Sequence, residues 1–115
     1  MEGIMAKLET TLNGRSFDDW LVRFESGILN GSMSASLEDK SDFMSPESKV
    51  RVSVRVFERY SAVGGNRLSL NLTMFQDEAG VIRLSAIASG GSNALLFKIN
   101  TWGEEAFLDR LKELL

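Results

Sequence analysis

The chain is predicted to fold as an α+β domain: a two-layer structure with two helices on one face of an antiparallel sheet, in the order strand, helix, four strands, helix. Two observations predict this. Between Val50 and Ala88 apolar residues alternate in three runs: Val50, Val52, Val54 and Val56; Leu68, Leu70, Leu72 and Met74; Ile82, Leu84, Ala86 and Ala88. Period-two patterning of this length marks a β-meander with one buried face and one polar face. On either side lie stretches whose apolar residues recur at helical spacing, as helices that attach to a sheet require.

The elements follow in order. Ala6, Leu8, Thr10 and Leu12 alternate and end at Asn13-Gly14, which reads as a first strand. Ser16 with Asp19 three residues on begins a helix, Phe17, Trp20, Leu21, Phe24 and Ile28 form its apolar stripe, and Asn30-Gly31 stops it. Ser32 to Leu37 reads as a second strand. The acidic stretch Glu38–Ser48 contains the only proline, Pro46, and is predicted to be a loop that Phe43 anchors.

The apolar residues of the meander are all even-numbered. If they share one face, antiparallel partners sum to even numbers and the loops between strands contain odd numbers of residues. A loop of three or five residues is therefore expected around Ala62–Gly65. Glu78-Ala79-Gly80 makes a three-residue hairpin loop with Gly80 in a left-handed conformation, Asp77 facing Val81 and Leu72 facing Ala86. Val54, Leu72 and Ala86 are expected together beneath the helices. Asn93–Ile99 reads as a short strand or an extended segment. Thr101 and Glu104 form a capping box for a last helix, with Phe107, Leu108, Leu111, Leu114 and Leu115 as its buried stripe.

A chain of 115 residues suits one domain, 1–115, with residues 1–5 preceding the patterned sequence and Met5 an alternative start. There is no Cys and no His. This rules out disulfides, a thiolate nucleophile and Cys-ligated metal, and removes the side chain best suited to proton transfer near neutrality. No cofactor and no metal are expected. No apolar run approaches the roughly 20 residues that span a bilayer, and no secretory pattern opens the sequence, so a cytoplasmic protein is expected. The carboxylate pairs Asp39 with Asp42, Asp77 with Glu78, and Glu104 with Glu105 all have ordinary structural explanations, so no catalytic residue is assigned.

Several stretches resemble a family of small bacterial proteins whose shared domain has no assigned activity. They are Gly27–Ser32, Ser34–Asp39, Arg55–Tyr60, Gly64–Arg67, Leu68–Thr73, Ser89–Ser92, Phe97–Thr101 and Gly103–Leu108. The resemblance spans most of the chain and implies no particular chemistry. The element order alone is similar to TATA-box-binding-protein-like folds and their START-like helix-grip relatives.

The net charge of −3 is unevenly spread: Lys49 to Arg67 carries five basic residues against Glu58, or +4, leaving −7 elsewhere. By the parity argument, Arg51, Arg55, Arg59, Arg67 and Arg83 share the polar face with Asn71, Thr73 and Ser85. The simplest reading is a solvated sheet face. The functional readings are two. Phe57, Phe75 and Ile87 also have polar-face parity, and such a patch predicts a homodimer built through the sheet. The alternative is a small-ligand binder, taking an anion at Arg51, Arg55, Asn71, Thr73, Arg83 and Ser85 or an apolar molecule between helix and sheet. Nucleic acid is not expected, because the chain is acidic and lacks a stacking platform of aromatic residues.

Overall fold

The computed structural model describes residues 5–31, 34–60, 67–90 and 108–115. Its elements are β1 (Met5–Leu12), α1 (Phe17–Asn30), β2 (Ser36–Met44), β3 (Arg51–Tyr60), β4 (Arg67–Gln76) and β5 (Ile82–Gly90), followed by a helical segment over residues 108–113. The architecture is the predicted α+β. Five antiparallel strands form one sheet in the order β1-β5-β4-β3-β2. The four-strand meander is sequential, and α1 carries the chain from β1 at one edge to β2 at the other.

Helix α1 forms for the reasons its sequence gives. The Ser16 hydroxyl accepts from the Asp19 amide at 3.1 Å, satisfying one of the free N–H groups of the first turn, and Asp18 and Asp19 complement its positive end. Phe17, Trp20, Leu21, Phe24 and Ile28 are buried, with Trp20 and Phe24 stacked at 5.4 Å between ring centres. Leu108, Leu111 and Leu114 join the same core, so the second helical segment packs on the same face. Leu115, expected in that stripe, is exposed, one residue past the helical spacing that places Leu111 and Leu114 inward. The two helices touch at Gly27, where a Cβ would lie 2.4 Å from Leu114 Cδ1. Arg23 Nε donates to the Leu114 carbonyl at 2.5 Å, and Arg110 Nε to the Gly27 carbonyl at 3.1 Å. The expected capping box at Thr101 and Glu104, Phe107, and the segment Asn93–Ile99 lie outside the described residues.

The β4–β5 hairpin is as predicted. Leu72 pairs with Ala86, the Asp77 amide donates to the Val81 carbonyl at 3.0 Å, and Gly80 has φ of 89°. That conformation costs an L side chain energy that glycine avoids. The β3–β4 pairing is not as predicted. Arg51 pairs with Gln76, Arg55 with Leu72 and Tyr60 with Arg67, so partner numbers sum to an odd value and six residues, 61–66, separate the last pair. Strand β3 is therefore turned over relative to its neighbours. Its odd-numbered Ser53, Arg55 and Phe57 are buried under the helices beside Leu68, Leu70 and Leu72, and Val52, Val54 and Val56 lie on the opposite face. The expectation that Val54 shares a face with Leu72 and Ala86 is overturned.

A second correction concerns Glu38–Ser48. Most of it is strand: β2 runs to Met44, and only the turn to β3 remains, closed by the Ser45 amide donating to the Val50 carbonyl at 2.9 Å. Seven of the nine β2 residues are exposed, because an edge strand needs no continuous apolar face, and its charged residues mask the pattern that marks inner strands. Pro46 sits in the turn, where its missing N–H costs no ladder bond. The irregularity between Leu37 and Asp39 shifts the register of β2 against β3.

The inversion of β3 predicts opposite sensitivities for neighbouring residues. Phe57→Ala should cost about 3–5 kcal/mol, the range for emptying a fully buried aromatic site, whereas Val54→Thr should stay within about 1 kcal/mol of the parent. Urea unfolding midpoints measure both. Gly80→Ala should cost about 1 kcal/mol in the same assay, through its left-handed backbone.

Candidate functional site

The register assigns every strand residue to a face. On the side away from the helices, Phe43 of β2 lies opposite Val52 of β3, Val52 opposite Phe75 of β4, Phe75 opposite Arg83 of β5, and Arg83 opposite Thr11 of β1. The next row along the strands is Ser41, Val54, Thr73, Ser85 and Glu9. The third is Asp39, Val56, Asn71, Ile87 and Lys7. An apolar patch thus crosses the middle of this face, built from Phe43, Phe75, Ile87 and the three valines that β3 turns outward. Phe43 is 69% exposed and Phe75 38%, and the valines and Ile87 are partly buried. Thr11, Thr73, Phe75, Arg83 and Ser85, with Glu9, line a shallow depression of about 450 Å³ beside the patch.

The residues singled out from the sequence divide between the two faces. Asn71, Thr73, Arg83 and Ser85 lie together on the open face, as do Phe75 and Ile87. Phe57 does not: it is fully buried in the core, against expectation, because β3 is inverted. Arg51 and Arg55 are likewise on the helix side and contribute nothing to an open-face arginine platform. Arg67 does lie on the open face, ion-paired with Glu58 and with its guanidinium 5.7 Å from the Tyr60 ring centre. Arg83 is therefore the open-face arginine without an ion pair among the described residues.

On the helix side the β3 arginines form a ladder with α1. Arg51 pairs with Asp18 at 3.0 Å and lies 4.0 Å over the Phe17 ring centre, a cation–π contact that covers the helix start. Arg55 donates through Nε to Glu25 and through Nη1 to Asp42 at 2.9 Å, and Nη1 also reaches the Val54 carbonyl at 2.9 Å. Ser53 Oγ donates to Asp42 Oδ1 at 2.5 Å. The spacings match: Arg51 to Arg55 spans about 13 Å of strand, and Asp18 to Glu25 about 10 Å of helix, two turns along one face. That seven-residue acidic spacing is the one signal in the sequence that points to the true face of β3.

Electrostatics agree with this placement. The Ser53 hydroxyl and then the Arg55 guanidinium hold the Asp42 carboxyl below its ordinary value of 3.8, against a smaller opposing effect of burial. Burial alone would lower the Arg55 pKa, but hydrogen bonds to Glu25 and Asp42 outweigh it and the net shift is upward. Burial lowers the pKa of Arg59. An arginine held this way ties α1, β2 and β3 together. Its charge is matched at the cost of losing hydration, so the arrangement serves the fold's register as much as its stability.

Between helix and sheet, Phe24, Ile28, Phe57, Leu68, Leu70 and Leu72 are fully buried. Among the described residues there is no group of three or more Asp, Glu, His or Cys positioned to hold a metal ion. None of their helices is long and apolar enough to cross a membrane.

These features define a class: a two-layer α+β domain with helices covering one sheet face and an apolar patch on the other. A family model described as a family of unknown function (DUF6054) matches residues 5–115, and the chain belongs to that family. No curated protein and no solved structure matches.

The depressed pKa of Asp42 makes a directional prediction. A carboxyl whose folded-state pKa lies below its unfolded value adds stability that is complete above the unfolded value and is lost as pH falls through the folded one. Stability should therefore decline below about pH 3.8 in part through Asp42. Asp42→Asn should be less stable than the parent at pH 7, and the difference should shrink on acidification. Denaturant unfolding at a series of pH values measures it.

Proposed function

We propose that this protein is an interaction module that self-associates through the open face of its sheet. The observation that carries the reading is the row Phe43–Val52–Phe75, flanked by Val54, Val56 and Ile87, which no described residue covers. Large apolar side chains grouped across adjacent strands are costly to leave in water and mark contact surfaces on soluble domains. Five strands of about ten residues present roughly 800 Å² of face, taking about 4.8 Å between strands and 3.3 Å per residue. One side of a standard interface has that size.

The edges of the sheet favour the same geometry. Strand β2 carries Glu38, Asp39, Lys40 and Asp42 and a bulge-like register shift, and β1 carries Lys7 and Glu9. Charged, irregular edges oppose the addition of further strands. Face-to-face packing is left as the mode that buries the patch, with the polar residues around it forming a rim.

Sedimentation of the parent protein tests this. A dimer is expected at tens of micromolar, the range a modest interface populates, and Phe75→Ser should shift it to monomer with its near-ultraviolet circular dichroism retained. A parent protein that remains monomeric at 100 μM, roughly the weakest association of interest for such an area, overturns the proposal.

A further inference from the structure

We propose that Phe43 is the docking knob of the self-associated state, entering the depression beside Arg83 on a second copy while the partner's equivalent ring enters the first. This rests on the self-association reading and adds its contact geometry. Phe43 stands on edge strand β2, 69% exposed, and the depression lies across the same face, centred on β5 with β4 and β1 at its sides. A knob and a hole on one face, offset from its middle in opposite directions, are self-complementary under a two-fold axis.

The register says which axis. Phe43 and Arg83 belong to one cross-strand row, connected through Val52 and Phe75. A two-fold axis along the strands, over the middle of the patch between β3 and β4, exchanges β3 with the partner's β4 and β2 with the partner's β5. Position along the strands is kept, so Phe43 arrives over the second copy's Arg83. The outward valines arrive over the second copy's β4 row, Phe75 included, and seal the centre.

The chemistry of the depression suits a ring. Arg83 offers a guanidinium without an ion pair among the described residues, and the Phe75 ring forms one wall, so an entering phenyl group gains a cation–π and an aromatic contact together. A depression of about 450 Å³ has ample room for it. Charge agrees as well. Asp39 on β2 shares a row with Lys7 on β1, so the same axis brings the acid toward the second copy's Lys7, on an edge where Lys7 also pairs with Glu9. An axis across the strands would instead stack β2 on the partner's β2 and keep Phe43 away from the depression on β5.

The absence of cysteine permits a clean test. Ser41 and Ser85 occupy the row next to Phe43 and Arg83, so the axis along the strands brings Ser41 of one copy over Ser85 of the other. Ser41→Cys and Ser85→Cys proteins, each folded as judged by circular dichroism, are mixed and treated with a short bis-maleimide. The expected product is a mixed covalent dimer joined through positions 41 and 85, with Ser41→Cys alone giving little. Phe43→Ser should weaken association about tenfold or more, the scale of an interface anchor, and Arg83→Met should weaken it less. A dimer that cross-links through two copies of position 41, or one that Phe43→Ser leaves intact, overturns the knob while self-association stands. A monomeric parent overturns both.

Discussion

The pairing of Arg55 with Leu72 is the constraint on which both faces of this molecule depend. It places the charged, odd-numbered side of β3 beneath α1, although the alternative would bury three valines. The choice is explained by what α1 and β2 present there. Asp18 and Glu25 stand two helical turns apart and receive Arg51 and Arg55, and Asp42 with Ser53 completes the Arg55 site. Turning β3 the other way would break these three ion pairs and expel Phe57 from the middle of the core. Emptying the fully buried site of Phe57 costs more than leaving valines partly exposed.

From that register the open face follows. A strand whose inner side is Ser53, Arg55 and Phe57 must carry its valines outward, between Phe43 and Phe75. The polar network under the helix and the apolar patch on the outside are thus one decision seen from two sides. The helices share the arrangement, since Arg23 and Arg110 bond across to Leu114 and Gly27 and hold the second helical segment over α1 at the point where glycine leaves room. Among the described residues no helix packs on the outer face.

The sheet handles its exposure unevenly. Its edges are charged, and β2 is irregular in register as well, which discourages strand addition. Its face is not protected in the same way: Phe43 and Phe75 remain in contact with solvent, and Phe75 adjoins Arg83, which has no ion pair among the described residues. The contrast between guarded edges and an apolar face is what gives the proposed self-association a direction.

Much of the fold was legible in the residues. The strand–helix–meander–helix order came from the change in apolar period, the start of α1 from Ser16 and Asp19, and the β4–β5 hairpin from Gly80 and the even spacing of Leu72 and Ala86. Each is a local signal, read within one element or one tight turn. The edge strand β2 was illegible because edges need no apolar alternation, so its charges looked like a loop. The face of β3 was undetermined for a deeper reason. Period-two alternation says that a strand has two faces and not which one is inward, and the choice passes to a neighbouring strand only through the intervening loop. Six residues stand between Tyr60 and Arg67, where an odd number was expected. Only tertiary contact decided the matter, because the partners that make Arg55 acceptable inside lie on α1 and on β2, 30 and 13 positions away in the chain.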